Sequence, residues 1–322
     1  MKAVVQRQYG TPDVLQCEDI DRPAIGDAEV LVAVHAASVN HWDWDLLRGL
    51  PYTNRVGALR RPRYPILGGD IAGRVAAVGS AVTQWSVGDE VFGDLSSCGW
   101  GGFAEFVRVP GHALAAKPAR VTFVAAAAVP QAAGLALTGL RGPHRIGPGR
   151  QVLINGAGGG VGTFAIQIAK SFGADVTAVD SAAKLDMMGA IGADRVLDYR
   201  SEDYTTTGQR YDLILDVECH RPVREILPIL TPDGIYVLAG GSTMYAAQAA
   251  AYTAWSRIAG GVQVAIAAHR ANQHLDFLSR LLEQGRVVPV VDRVYPLEQV
   301  PQALHDMGAG NVQGKLVIQV RE

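Results

Sequence analysis

The stretch Val152-Leu153-Ile154-Asn155-Gly156-Ala157-Gly158-Gly159-Gly160-Val161-Gly162 decides the fold. Its three apolar residues read as a short buried strand, and the glycine run opens directly into a segment where Val161, Ala165, Ile168 and Phe172 recur at helical spacing. Gly173 supplies the stop. Strand, glycine turn and helix in immediate succession predict a βαβ crossover whose helix N-terminus faces the strand end. Without Cβ atoms at Gly159 and Gly160, the backbone of Gly159, Gly160 and Val161 can approach a diphosphate, whose charge the free N–H groups and the helix dipole stabilise. Gly162 lets the helix lie close to the strand. Ala157 stands where the usual fingerprint has its first glycine, which weakens the literal match but leaves the physical requirement met.

Asp180 ends the next strand about twenty residues downstream, where an acid accepts hydrogen bonds from an adenine ribose diol. Alone it would serve equally well as a helix cap. Together with the loop it predicts dinucleotide binding, to a nicotinamide or a flavin cofactor. The binding segment is central rather than N-terminal, and that order points to a nicotinamide enzyme with a catalytic domain in front.

Working outward, the same rhythm of short apolar strand and longer helix continues through Asp175–Val179, Arg195–Leu197, Tyr211–Leu215 and Ile235–Leu238. This predicts an α/β, doubly wound parallel sheet. The first 120 residues differ: Val30–Val34, Arg74–Val78, Glu90–Phe92 and Phe103–Val109 are strands between glycine and aspartate corners, which predicts a β-barrel or sandwich. Near the end, Leu275–Glu283 is a helix stopped by Gly285, and Lys315–Val320 returns to strand character. The expected division is therefore a catalytic domain of residues 1–122 and 287–322 around a dinucleotide-binding domain of residues 123–286.

The 322 residues suffice for two cores. A net charge of −2 provides no basic field for nucleic acid or acidic membranes. Cys17, Cys98 and Cys219 are odd in number and far apart, so neither a disulfide framework nor a metal knuckle can be built, and a reducing, cytoplasmic setting is expected. The uncharged stretches Val121–Leu140 and Gly234–Ser256 have the length of a membrane span, yet Pro130, Gly134, Gly240 and Gly241 interrupt them, which favours buried interior segments. No membrane segment and no nucleic-acid partner are expected.

Several ordered motifs resemble the medium-chain dehydrogenase/reductase superfamily in its zinc-free, quinone oxidoreductase-like branch. They are Ala36-Ala37-Ser38-Val39-Asn40-x-x-Asp43, Pro65-Ile66-Leu67-Gly68-Gly69-Asp70-x-x-Gly73, Gly88–Gly93, Val152–Lys170, Ile191–Tyr199 and Gly314–Val317. The resemblance implies a GroES-like barrel joined to a Rossmann domain, a cleft between them and a homodimer formed through the Rossmann sheets. At the positions where zinc-dependent relatives carry ligands, this chain has Asn40 and Gly69, with no Cys or His from Gln131 to Thr138. A carboxamide and a glycine cannot replace thiolate and imidazole around Zn²⁺. Without a Lewis acid, reduction of an already electrophilic small molecule becomes the expected chemistry.

The resemblance puts Asn40 and Asp43 beside the nicotinamide, Asn40 as a hydrogen-bond donor or a turn residue, Asp43 as a site residue or a loop clamp. Tyr52 either protonates an enolate or walls an apolar pocket with Trp42 and Trp44. Arg55 to Arg63 reads as a solvated loop or a rim for anions. Thr138, Tyr199, Gly240, Gly241 and Lys315 occupy cofactor-contact positions of the family. Ser181 and Lys184 can neutralise a 2′-phosphate while Asp180 repels it, so NADPH is expected slightly ahead, with NADH also used. Glu218-Cys219-His220 departs from the Asn-Val-Gly usual after the fourth strand. The leading expectation is NAD(P)H-dependent reduction of a quinone-like acceptor; an enone or enoyl reductase and a non-catalytic dinucleotide sensor are the alternatives.

Overall fold

A computed structural model describes residues 1–140, 146–241, 243–259 and 263–321. The chain divides into two units, each with its own core: Met1–Gly134 with Ala271–Gln284 and Val291–Glu322, and Leu135–Arg270 with Gly285–Val290. Segments 123–134 and 271–284, expected in the dinucleotide-binding domain, thus group with the first unit. The reason is packing that periodicity does not reveal. The helix from Phe123 lies on strands of the first unit, and the Asn272 side chain exchanges hydrogen bonds with the Asp94 backbone at 2.7 and 2.8 Å.

The first unit opens with a hairpin, β1 (Lys2–Gln6) and β2 (Leu15–Asp19). β3 (Glu29–Val39), β4 (Asp70–Val78), β5 (Glu90–Asp94), β6 (Phe106–Pro110) and β7 (Ala115–Ala116) follow. The long β3 pairs antiparallel with both β4 and β6. Between β3 and β4, α1 (His41–Arg48) starts where the Asp43 carboxylate accepts from the Asn40 N–H at 2.8 Å and ends at Gly49 in the left-handed conformation. α1 buries Leu46 and Leu47. α2 (Phe123–Ala127) is capped by Thr122, whose hydroxyl accepts from the Ala125 N–H at 3.1 Å.

In the second unit, α3 (Pro130–Leu140), which begins in the first, leads to β8 (Gln151–Asn155), α4 (Gly160–Ser171), β9 (Asp175–Asp180), α5 (Leu185–Ala190), β10 (Arg195–Asp198) and β11 (Tyr211–Asp216). α6 (Val223–Ile226), β12 (Leu230–Leu238), α7 (Thr243–Ala259) and β13 (Gln263–Ile266) complete it. The six strands are all parallel, in the order β10-β9-β8-β11-β12-β13, so the chain reverses direction across the sheet between β8 and β11. That is the doubly wound topology, with its switch point at the glycine loop. Five of the six strands are visible in the sequence pattern; β13, four residues with a half-exposed edge, is not.

The chain then returns to the first unit through α8 (Leu275–Glu283), β14 (Val291–Pro296), α9 (Val300–Gly308) and β15 (Lys315–Gln319). β15 pairs antiparallel with β3 and parallel with β14, which closes a seven-stranded sheet over a core containing Val32, Val34, Ile71, Val91, Leu316 and Ile318. Both uncharged stretches are divided among separate elements, α2 and α3 for the first and β12 and α7 for the second, and no helix among the described residues is long and apolar enough to cross a membrane.

Candidate functional site

The glycine loop is built mostly from backbone. The Gly156 and Ala157 N–H groups donate to Val179 O at 3.0 and 3.1 Å, tying the loop to the end of β9. The Gly158 N–H donates to Asp180 Oδ2 at 2.9 Å. A Cβ at Gly162 would run into Gly156 O and the Ala157 backbone, so that glycine is demanded by the protein's own packing. Gly159 differs: its backbone is extended, and a Cβ there would meet nothing nearer than Gly156 O at 3.6 Å. α4 begins at Gly160 with no side-chain cap. Its first N–H groups therefore present the positive end of the helix dipole to an open cradle, which fits a diphosphate.

At the adenosine end, Asp180 is already engaged. Its Oδ1 accepts from the Ser181 N–H at 2.8 Å, and Lys184 Nζ lies 3.2 Å from that same oxygen. Lys184 thus pairs with Asp180 instead of standing alone in solvent, and the two charges largely cancel before any ligand arrives. Tyr199 joins this corner because its N–H donates to Asp180 O at 3.2 Å; its ring is half exposed, and Arg200 Nε donates to its hydroxyl at 3.3 Å. No sequence motif singles out Arg200, and only the β9–β10 pairing, Asp180 opposite Asp198, brings it here. Thr138 lies half-buried in α3.

Gly240 and Gly241 follow β12, where a Cβ on the first would strike Val217 O and one on the second would press on Cys219 Cβ at 2.8 Å. Their small size is thus required by the Val217–Cys219 turn. In that turn Glu218 and His220 are exposed partners 3.2 Å apart, while Cys219 is buried, its thiol pushed up to about 11 by desolvation. Burial and the raised thiol leave Cys219 without the surroundings of a nucleophile.

In the first unit, β-sheet register assembles a buried polar cluster. Pairing of Ser38 with Asp70 and of Val39 with Leu316 brings Asn40, Asp70 and Lys315 together. Asp70 accepts from Asn40 Nδ2 at 3.0 Å, Ser38 Oγ at 3.2 Å and the Gln131 N–H at 3.2 Å. Lys315 Nζ donates to Asn40 Oδ1 and to Val39 O. Asp43 is wholly buried, its oxygens accepting from the Asn40 and Gly68 N–H groups, both at 2.8 Å. Burial pushes the carboxyls of Asp43 and Asp70 up to about 7; it pushes Lys315 down, with the neighbouring carboxylates opposing it.

These placements bear on the expectations for Asp43, read as a site residue or a loop clamp, and for Lys315. Asp43 clamps the start of α1 to the Gly68 turn, with both carboxylate oxygens spent on backbone N–H groups. Lys315, 4% exposed, is spent on Asn40 and Val39 and not held out for a cofactor. Asn40 remains as a carboxamide oriented from both ends. Tyr52, by contrast, is 74% exposed, with the Arg55 guanidinium 5.2 Å from its ring. Arg55 itself donates to Gly49 O and Arg48 O, so it braces its own loop. Trp42 meets Trp100 edge-on at 5.7 Å, and Trp44 packs on the core of the first unit, where its ring would collide with a Cβ on Gly308.

The residues at the family's zinc positions do not fit the metal. Asn40 is occupied by Asp70 and an ammonium, Gly69 has no ligating atom, and a side chain on it would meet the Trp100 ring at 3.0 Å. Among the described residues no group of three or more His, Cys, Asp or Glu could hold a metal ion.

Comparisons with known proteins agree with this anatomy. Residues 26–119 match the model of the alcohol dehydrogenase GroES-like domain, and residues 191–318 match that of the zinc-binding dehydrogenase family. The chain is 32% identical over 361 residues to the mitochondrial NAD(P)H oxidoreductase RTN4IP1 of Homo sapiens, covering 99% of this chain and 89% of that protein. Among solved structures, the quinone oxidoreductase from Coxiella burnetii superposes with a TM-score of 0.86 at 28% identity, covering 100% of this chain and 99% of that one. The CurK enoyl reductase superposes with a TM-score of 0.83 at 26% identity, covering 99% and 98%. With a doubly wound sheet around a glycine loop, a GroES-like unit and relatives matched from end to end, the chain belongs to the medium-chain dehydrogenase/reductase superfamily, in its quinone oxidoreductase-like branch.

Proposed function

We propose that this chain reduces quinone-like electrophiles with NAD(P)H by direct hydride transfer and without zinc. The observation that carries the reading is the uncapped start of α4 beside Gly159, a cradle of backbone donors that the protein's own packing leaves open. When bound, the dihydronicotinamide supplies the hydride. The chain's residues do the rest: the Gly160 and Val161 N–H groups hold the diphosphate, Gly159, whose own N–H donates to Gly156 O at 3.3 Å, lets it approach the backbone, and Asn40 presents a carboxamide fixed by Asp70 and Lys315. The donor set supports a metal-free mechanism because a carboxamide and an ammonium occupy a site that elsewhere needs thiolate and imidazole.

NADPH is the proposed preferred cofactor, with NADH also used. Lys184, Ser181, Tyr199 and the neighbouring Arg200 offer hydrogen bonds and positive charge to a 2′-phosphate, against the single carboxylate of Asp180, which already has a counterion. The proposal includes a homodimer joined through the second unit, supported by exposed Met244, Trp255 and Ile266 on α7 and the edge strand β13. It also includes a reducing, cytoplasmic setting, supported by three free cysteines.

Steady-state oxidation of NADPH and NADH with a panel of quinones and enones tests the reading, and elemental analysis tests the metal. Zinc bound one per chain, with activity lost in chelator, would overturn the metal-free mechanism. The resemblance to an enoyl reductase keeps enone reduction as the second reading, with Tyr52 as proton donor. Tyr52→Phe decides between them: loss of enone turnover with quinone turnover intact favours the second. Tight NADPH binding with no turnover of any acceptor would instead indicate a sensor.

A further inference from the structure

We infer that the side-chain amide of Gln131 is the hydrogen-bond donor for the carbonyl oxygen of the acceptor, doing without metal what a Lewis acid does in zinc-dependent relatives. The inference rests on the proposed reductase reading and goes beyond it in naming the group that polarises the substrate. Gln131 is 8% exposed, and its Nε2 has no hydrogen-bond partner among the described residues. A buried amide left unpaired costs about 1–3 kcal/mol, so such a donor is unusual unless something else accepts from it.

The surroundings say what that acceptor is. Nε2 lies 3.3 Å from where a Cβ on Gly69 would sit, beside the ring of Trp100. Trp100 has Trp42 edge-on at 5.7 Å and Tyr64 tilted at 6.1 Å, and Trp42 is 39% exposed. A lone donor among aromatic faces suits a planar, conjugated carbonyl compound. The Gln131 backbone N–H donates to the same Asp70 carboxylate that receives Asn40 Nδ2, which holds the start of α3 beside that cluster. Asp70 therefore ties the Asn40 carboxamide and the Gln131 backbone to one point. Gly69, Asn40 and the start of the 131–138 segment are also the three places where the zinc-dependent relatives carry ligands, and here they gather around a neutral donor.

In the step so assisted, the hydride of NAD(P)H forms a new bond to the acceptor and leaves NAD(P)⁺. The displaced electron pair moves onto the carbonyl oxygen, where the amide N–H stabilises it until a proton from water completes the hydroquinone or enol. One NAD(P)H and one proton are consumed for each two-electron reduction. Donors placed where negative charge develops accelerate such steps more than they tighten ground-state binding.

The test is Gln131→Leu, with NADPH dissociation constants from fluorescence titration measured alongside turnover. We expect kcat for quinones to fall roughly 10- to 100-fold while NADPH binding changes less than about twofold. The loss should be larger for quinones of low reduction potential, which need the most help. A folded Gln131→Leu with kcat/KM within about twofold of wild type would overturn the inference. Should that variant fail to fold, Gly69→Ala replaces it, since its methyl group would crowd Nε2 and must slow turnover; unchanged turnover there also overturns the inference. If wild type reduces no quinone or enone, the reductase reading falls and takes this inference with it. If wild type is active and the variants equally so, only the role of Gln131 falls.

Discussion

The two units hold their polar groups in opposite ways. In the second, the glycine loop keeps its donors on the backbone and leaves the first turn of α4 open. In the first, Asn40, Asp43, Asp70 and Lys315 are turned inward and hydrogen-bonded to one another and to Ser38, Val39, Gly68 and Gln131. The first arrangement is a receptacle whose chemistry comes from what it binds; the second is a brace that orients the few groups left over. A charged residue near an expected site is therefore weak evidence of contact with a ligand, whereas an open helix terminus with room beside it is strong evidence.

The largest effect that can break this comparison is loss of a member of the brace. Asp70→Ala strands a buried ammonium and three donors, and should destabilise the protein by about 3–5 kcal/mol in urea unfolding. A loss under about 1 kcal/mol would mean the cluster is hydrated and not a brace. Lys315→Met should cost less in an Asp70→Asn background than alone, because the two charges are coupled.

Next comes pH. Asp43 is raised from 3.8 to about 7 in the folded protein, so between these values the native state holds a proton the unfolded chain has released. Its contribution to stability is therefore full below about pH 4 and is lost as pH rises through 7, by up to a few kcal/mol. Comparing the pH dependence of unfolding in wild type and Asp43→Asn isolates it. A slope between pH 5 and 7.5 unaltered by the substitution would contradict the buried assignment.

The glycine loop makes a sharper, smaller pair of predictions. Gly162→Ala drives a methyl into the Gly156 carbonyl and should cost about 1–3 kcal/mol of stability. Gly159→Ala fits the protein without collision, so its melting temperature should stay close to wild type while NADPH affinity falls about tenfold or more. If instead both lose stability equally, the cradle at Gly159 is part of the core.

The smallest effect is cofactor choice. Asp180→Ala should raise the NADPH/NADH ratio of kcat/KM several-fold while weakening both cofactors, because Gly158 also loses its acceptor. Lys184→Ala should lower the ratio by a similar factor, roughly 1 kcal/mol or less for a half-paired charge. Unchanged ratios in both would dismiss this corner as the adenosine pocket.

Local pattern was enough for the doubly wound sheet and its glycine loop. Strand periodicity, glycine spacing and the acid at the end of β9 all operate within a few tens of residues, and the helix terminus that binds phosphate is a property of the backbone. The absence of thiolate and imidazole at Asn40 and Gly69 is likewise plain from residue identity. Only the tertiary structure decided that Asp43 and Lys315 are consumed inside the first unit and that Gln131 is left with an unpaired amide. The physical reason is sheet register: Lys315 meets Asn40 because β15 lies against β3, a pairing across more than 270 residues that no local pattern encodes.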